Sequence, residues 1–229
     1  VAAVAHSSGF GGTPWRSTLA IVNPTSTDTD VTVTFRGGST VVKTIRVPAT
    51  GVLEWADVLV DLFEVDPGAS ASGSLEIVAD RFTVVACRTY ADKGVAGTYG
   101  QSYPALAASR GITAGVTGVL AQLRKNPMAY TNVGALNLSS VPCAGSVQLV
   151  GGQGQAIGTA QGVSLAPGGW TQLSDVFQVA GAGGADSAYA RVTVTTEGCS
   201  LWFYASVIDP TTRDPTTIEL ARPFVVEPR

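Results

Sequence analysis

The chain has 229 residues, of which 45% are hydrophobic and 14% charged, and its formal net charge is −3. An average soluble domain is roughly 25% charged, and phosphate recognition needs a basic face, so this balance excludes nucleic acid as a partner. No apolar run approaches the ~18–20 residues of a membrane-crossing helix, and 27 glycines with 12 prolines favour short strands and tight turns over helices.

The chain begins with Val rather than Met, which reads as a processed chain or a fragment. Val1-Ala-Ala-Val-Ala5 is a candidate first strand. His6, the only histidine, follows at once, and a surface or edge-strand place is expected for it so near a terminus. Segments 18–22 and 31–35 alternate apolar and polar residues at period two, the mark of half-buried strands, and 41–47 does the same. Asp57 opens a short helical pattern over 57–63 as its N-cap. Strands at 75–78 and 83–90 flank an Asp80-Arg81 turn, and the small, turn-rich stretch 104–118 reads as a linker.

A second series follows. Strands are expected at 118–123, 132–138, 146–150 and 162–165, then a short helix over 175–179 opened by Asp175, then strands at 190–195 and 200–208. The apolar Phe224-Val225-Val226 near the end can close a sheet edge. The two series match in order. The segment ending at Asn23 matches that ending at Asn137, and Val47-Pro-Ala-Thr-Gly51 matches Leu165-Ala-Pro-Gly-Gly169. Trp55-Ala-Asp57-Val58 matches Leu173-Ser-Asp175-Val176, and Thr89-Tyr-Ala-Asp92 matches Ser206-Val-Ile-Asp209. The offset drifts by only a few residues, as loop insertions produce, which points to an internal repeat. The expected fold is therefore all-β: two tandem β-sandwich domains, immunoglobulin-like or jelly-roll-like, over 1–108 and 109–229, each with at most one short helix.

Several segments together resemble a poorly characterised group of bacterial secreted or cell-surface proteins. They are Gly11-Gly-Thr-Pro-Trp-Arg-Ser-Thr-Leu-Ala-Ile-Val-Asn-Pro24, Arg88-Thr-Tyr90 with Gly97-Thr-Tyr-Gly-Gln101, Gly168-Gly-Trp-Thr-Gln172 and Tyr204-Ala-Ser-Val-Ile-Asp209. In that group tandem β-sandwich regions lie near C-termini. The resemblance implies export and tandem β architecture and carries over no catalytic residue.

The residues themselves offer little chemistry. Cys87, Cys143 and Cys199 lack the paired spacing of a zinc site. Cys143–Cys199 is the favoured disulfide, since both fall at predicted strand starts in the second half; three buried thiols are the alternative. The repeat-matched acids Asp57 and Asp175 suit caps better than a glycosidase pair. Asp28 with Asp30, Asp57 with Asp61, and Asp209 with Asp214 read as solvated turns rather than calcium ligands. Asn137-Leu-Ser139 fits the glycosylation pattern. No cofactor, no metal and no enzyme activity are expected.

The expected role is an extracellular structural or adhesive module of a bacterial surface protein. It would meet protein partners or copies of itself through sheet edges, with Val1, Val4, Phe224, Val225 and Val226 as assembly strands. The alternative is a carbohydrate-binding module, with Trp15 and Trp170 near turns as the sugar contacts.

Overall fold

Period-two segments bury one face, so each must find a partner strand and a second layer. In the computed structural model, which describes residues 1–9 and 12–222, the chain divides into two compact units. One is Val1–Leu106 with Gly168–Trp170; the other is Ala107–Pro167 with the residues from Thr171 on.

The first unit runs β1 (Val4–Ser8), β2 (Pro14–Val22), β3 (Thr29–Arg36), β4 (Thr40–Val47), β5 (Val52–Trp55), α1 (Val58–Asp61), β6 (Ala71–Ala79), β7 (Val84–Asp92) and β8 (Thr98–Ser102). Its strands lie in the order β4-β3-β6-β1-β2-β7-β8, with β5 beside β2. Strand β1 changes partner midway. Val4 to His6 pair with Gly73 to Ala71 of β6, while Ser7 and Ser8 pair with Trp15 and Pro14 of β2. It therefore joins one layer, β4-β3-β6, to the other, β5-β2-β7-β8. Leu19 and Ile21 of β2, Val31, Val33 and Phe35 of β3, Leu75 of β6, and Val58 and Leu59 of α1 are buried as the core. Phe35 packs on Phe63, just after the helix, with ring centroids 5.6 Å apart.

The second unit runs β9 (Ile112–Thr113), β10 (Thr117–Lys125), β11 (Tyr130–Asn137), β12 (Cys143–Gly151), β13 (Gln161–Leu165), β14 (Trp170–Leu173), α2 (Val176–Val179), β15 (Ala185–Val194), β16 (Ser200–Ile208) and β17 (Pro215–Glu219). One sheet is ordered β10-β15-β12-β13; the other is β14-β11-β16-β17, with β9 on β16. Apart from β9, which has no counterpart, the correspondence with the first unit is strand for strand. The order β4-β3-β6-β1 reappears as β13-β12-β15-β10, and β5-β2-β7-β8 as β14-β11-β16-β17. Leu120, Leu123, Val147, Leu149, Phe177, Val192, Leu201 and Phe203 form the core between these sheets.

The protein is thus all-β, built of β-sandwich units with one short α-helix each among the described residues. Strands β5, β8, β14 and β17 carry no clear alternation and were not expected, nor was β9, which lies within the stretch 104–118 read as a linker. Both helices are a single turn: α1 is shorter than the pattern over 57–63 suggested, while α2 matches the expected 175–179 with Asp175 as its cap. Among the described residues no helix is long and apolar enough to cross a membrane.

Candidate functional site

Two asparagines hold the same place in the two units. Asn23, after β2, is fully buried, and its Nδ2 donates to the carbonyls of Thr27 (2.8 Å), Val47 (3.2 Å) and Pro48 (3.1 Å) while its Oδ1 accepts from Thr25 N (3.0 Å). Asn137, closing β11, repeats these backbone contacts. Its Nδ2 donates to Val141 (2.8 Å), Leu165 (3.1 Å) and Ala166 (3.0 Å), and its Oδ1 accepts from Ser139 N (2.8 Å). Each amide ties a turn to the end of a strand in the opposite sheet and supplies hydrogen-bond donors to buried backbone carbonyls there. The glycosylation pattern at Asn137 is correspondingly closed, because its nitrogen is buried under three carbonyls.

The aspartates before the helices hold cations. His6 is only 3% exposed, since β1 has a partner on each side; it is neither a surface nor an edge residue. Its Nδ1 lies 2.5 Å from Asp57 Oδ2 and its Nε2 3.0 Å from the Pro67 carbonyl. Arg16 Nε reaches the same Asp57 oxygen at 3.1 Å, and Asp57 Oδ1 is buried without a hydrogen-bond partner. The Asp57 side chain caps nothing, contrary to the sequence expectation. Asp175 does cap, accepting from Gln178 N at 3.3 Å, and its other oxygen takes Lys125 Nζ at 2.6 Å. The neighbouring buried hydroxyls form a closed chain: Ala5 N donates to Ser17 Oγ (2.8 Å), Ser17 and Thr89 bond each other (2.7 Å), and Thr89 donates to the Ala3 carbonyl (3.0 Å).

Cys143 and Cys199 form a disulfide that bridges β12 in one sheet to the start of β16 in the other. Cys87 is a buried free thiol in β7. Burial pushes this thiol up to about 12, so the nucleophilic thiolate is scarce at ordinary pH. A disulfide-exchange reagent such as Ellman's is expected to find no thiol in the folded protein at pH 8 and one per chain in guanidinium. Rapid native labelling would show that β7 opens.

The terminal strands named for assembly fare differently. Val1 and Val4 are 7% and 1% exposed, and Val1 pairs on into β6, its amine donating to the Leu75 carbonyl (2.9 Å) and its carbonyl accepting from Leu75 N (3.0 Å). They complete their own sheet and present no free edge, which corrects that expectation. Phe224, Val225 and Val226 lie outside the described residues.

Of the sugar-contact candidates, Trp15 is half-buried and meets Tyr99 edge to face at 5.7 Å, with Lys93 Nζ 5.8 Å from the Tyr99 ring. Trp170 is half-buried at the start of β14. Trp202 is buried and stacks on Tyr204 at 5.4 Å, where Tyr204 covers Gly134 so closely that any Cβ there would strike its ring. The acidic pairs resolve into turns and ion pairs. Asp28 accepts from Ala49 N (2.9 Å) and Arg46 (3.1 Å), which hold its carboxyl below the usual range, and Asp30 shares Arg46. Asp209 is likewise held low by the N–H groups of Thr211 and Thr212. Asp61 accepts from Asp57 N, and Asp214 offers its carbonyl to Asp209 N. Among the described residues no three metal-ligating side chains converge.

Sequence reasoning missed the asparagine pins and the cation–aspartate pairs as contacts, although the matched Asn23/Asn137 and Asp57/Asp175 were visible as repeat positions. Compared with known proteins, the chain matches no protein-family model and no curated protein.

Proposed function

We propose that the protein is an extracellular structural or adhesive module of a bacterial surface protein, working through contact surfaces rather than through reactive side chains. The observation that carries this reading is an apolar row on the outer face of the first unit. Val52, Val22 and Val84 stand directly opposite one another across β5, β2 and β7, so they share a face. Val52 and Val84 are 56% and 47% exposed, and nearby Phe82 is 72% exposed. Contiguous exposed apolar groups of this kind mark contact surfaces. A disulfide in a chain with few charges suits an oxidising, extracellular setting.

Edge pairing is the weaker route to assembly. Edge strand β4 carries Lys43, paired with Glu64 at 2.9 Å, and charge on an edge discourages strand addition. Antibody raised against the purified chain should decorate intact cells of its source, and protein from that source should sediment as species larger than one chain. The Val52→Glu/Val84→Glu variant should sediment as monomer. Antibody signal only after lysis, or wild-type protein that is monomeric at every concentration, overturns the proposal. The carbohydrate-binding alternative rests on Trp15 with Tyr99, and binding of the wild type to a glycan array that is lost in Trp15→Ala would favour it instead.

A further inference from the structure

Position 6 and position 125 are structurally equivalent. In each unit the residue before it donates its N–H to a buried hydroxyl on the following strand: Ala5 to Ser17 Oγ of β2 at 2.8 Å, and Arg124 to Thr131 Oγ1 of β11 at 3.2 Å. Each is also paired with the first residue of the matching strand, His6 with Ala71 of β6 and Lys125 with Ala185 of β15. From this one seat, each side chain reaches the aspartate that precedes the short helix. One unit fills it with an imidazole and the other with an ammonium.

We infer that this seat is selective for a positive charge rather than for either side chain, and that its occupant latches the first strand to the helical turn of its own unit. One feature of each occupant supports this. Both ring nitrogens face oxygens that can only accept, the Asp57 carboxylate and the Pro67 carbonyl, and an imidazole serves two acceptors only with a proton on each nitrogen. The lysine in the matching seat carries three donors and no acceptor. The charged groups around the first latch are Asp57 and Asp61 from the helical turn and Arg16 from β2, while Ala71 opposite His6 in β6 is uncharged. The Tyr90 hydroxyl of β7 closes the rim, donating to the Ala56 carbonyl at 3.3 Å. In the second unit Asp175 has Lys125 as its cation, and its own N–H is held by Asn132 Oδ1 at 2.8 Å.

Hydrogen–deuterium exchange at one fixed pH tests this locally on the intact chain. The reporters are the amides of Asp61, Leu62, Phe63 and Glu64 in the first unit and of Val179, Ala180 and Ala182 in the second, all bonded to carbonyls of the helical turns. His6→Lys should protect the first set as wild type does. His6→Gln keeps polarity without charge and should speed exchange by about tenfold, the loss of one charge-assisted bond. Lys125→Gln should do the same to the second set, and Lys125→Arg should not. Should His6→Gln not fold, Asp57→Asn supplies the same reading from the other side of the pair. The inference is overturned if His6→Lys exchanges as fast as His6→Gln, or if neither His6→Gln nor Asp57→Asn differs from wild type. It is equally overturned if Lys125→Gln leaves the second set unchanged.

Discussion

Loss of the Cys143–Cys199 disulfide is expected to destabilise the second unit by about 4 kcal/mol, the chain-entropy cost for a loop of this length. The two cysteines are 56 residues apart in sequence. Between them lie β12, β13, β14, α2 and β15, so the bond closes a loop that holds one sheet's β12, β13 and β15 and just under half of the unit's chain. Both are buried. In the reduced or Cys143→Ser/Cys199→Ser form the unfolded ensemble regains that freedom, while the folded sheets keep their ladders. A unit of this size has an m-value near 2 kcal/mol per molar urea, so its midpoint should fall by about 2 M. The first unit has no such bond, its one cysteine being the free Cys87. Exchange-detected urea unfolding should therefore show the shift in peptides of the second unit alone. A midpoint that does not move on reduction would mean that the β12–β16 junction is held by packing and not by the sulfur bridge.

Replacing either pin asparagine by alanine should cost the unit that carries it about 3 kcal/mol, since a lost buried hydrogen bond leaves a desolvated partner worth ~1–3 kcal/mol. Three carbonyls and one amide lose their partner in each case, and at Asn23 the Thr25 hydroxyl does too. Asn→Asp is the sharper test. It keeps the acceptor oxygen but turns a carboxylate oxygen toward three carbonyls, so it should be at least as damaging as alanine. Denaturant unfolding of Asn23→Ala, Asn23→Asp, Asn137→Ala and Asn137→Asp checks this. An Asn→Asp variant as stable as wild type would show that the donor side of the amide contributes nothing. The two asparagines share no partner, so the double alanine variant should lose the sum.

The sequence was most legible where burial on one face imposes alternation. Val31-Thr-Val-Thr-Phe35 reads directly as β3, with Val31, Val33 and Phe35 buried. Strands β5 and β14 were invisible because they are four residues long and have no fully buried position. Their place beside β2 and β11 is set by the turn before them, not by an apolar pattern. His6 was misplaced for a related reason. Nearness to a terminus predicts looseness, but β1 reaches across to β6 and is enclosed there. The side chains that meet the two aspartates were hidden because the partners lie about 50 residues apart, His6 with Asp57 at 51 and Lys125 with Asp175 at 50. No local spacing records such a contact. The repeat did mark Asp57 and Asp175 as equivalent, but gave a capping role that only Asp175 fulfils.

Strand β1 is the seam of the first unit, and this governs how the unit is made. Its pairing of Val4 with Gly73 joins residues nearly seventy positions apart, so closure waits on a non-local encounter of the kind that slows folding. During synthesis the first strand leaves the ribosome long before its partner exists, with Val1, Ala2, Ala3 and Val4 uncovered until the sixth strand arrives. The hairpin of β3 with β4 forms without it, but neither layer reaches its full width until β1 is seated. Closing the unit therefore depends on seating β1 against β6, and a substitution that breaks this pairing leaves the apolar segment from Val1 to Val4 uncovered.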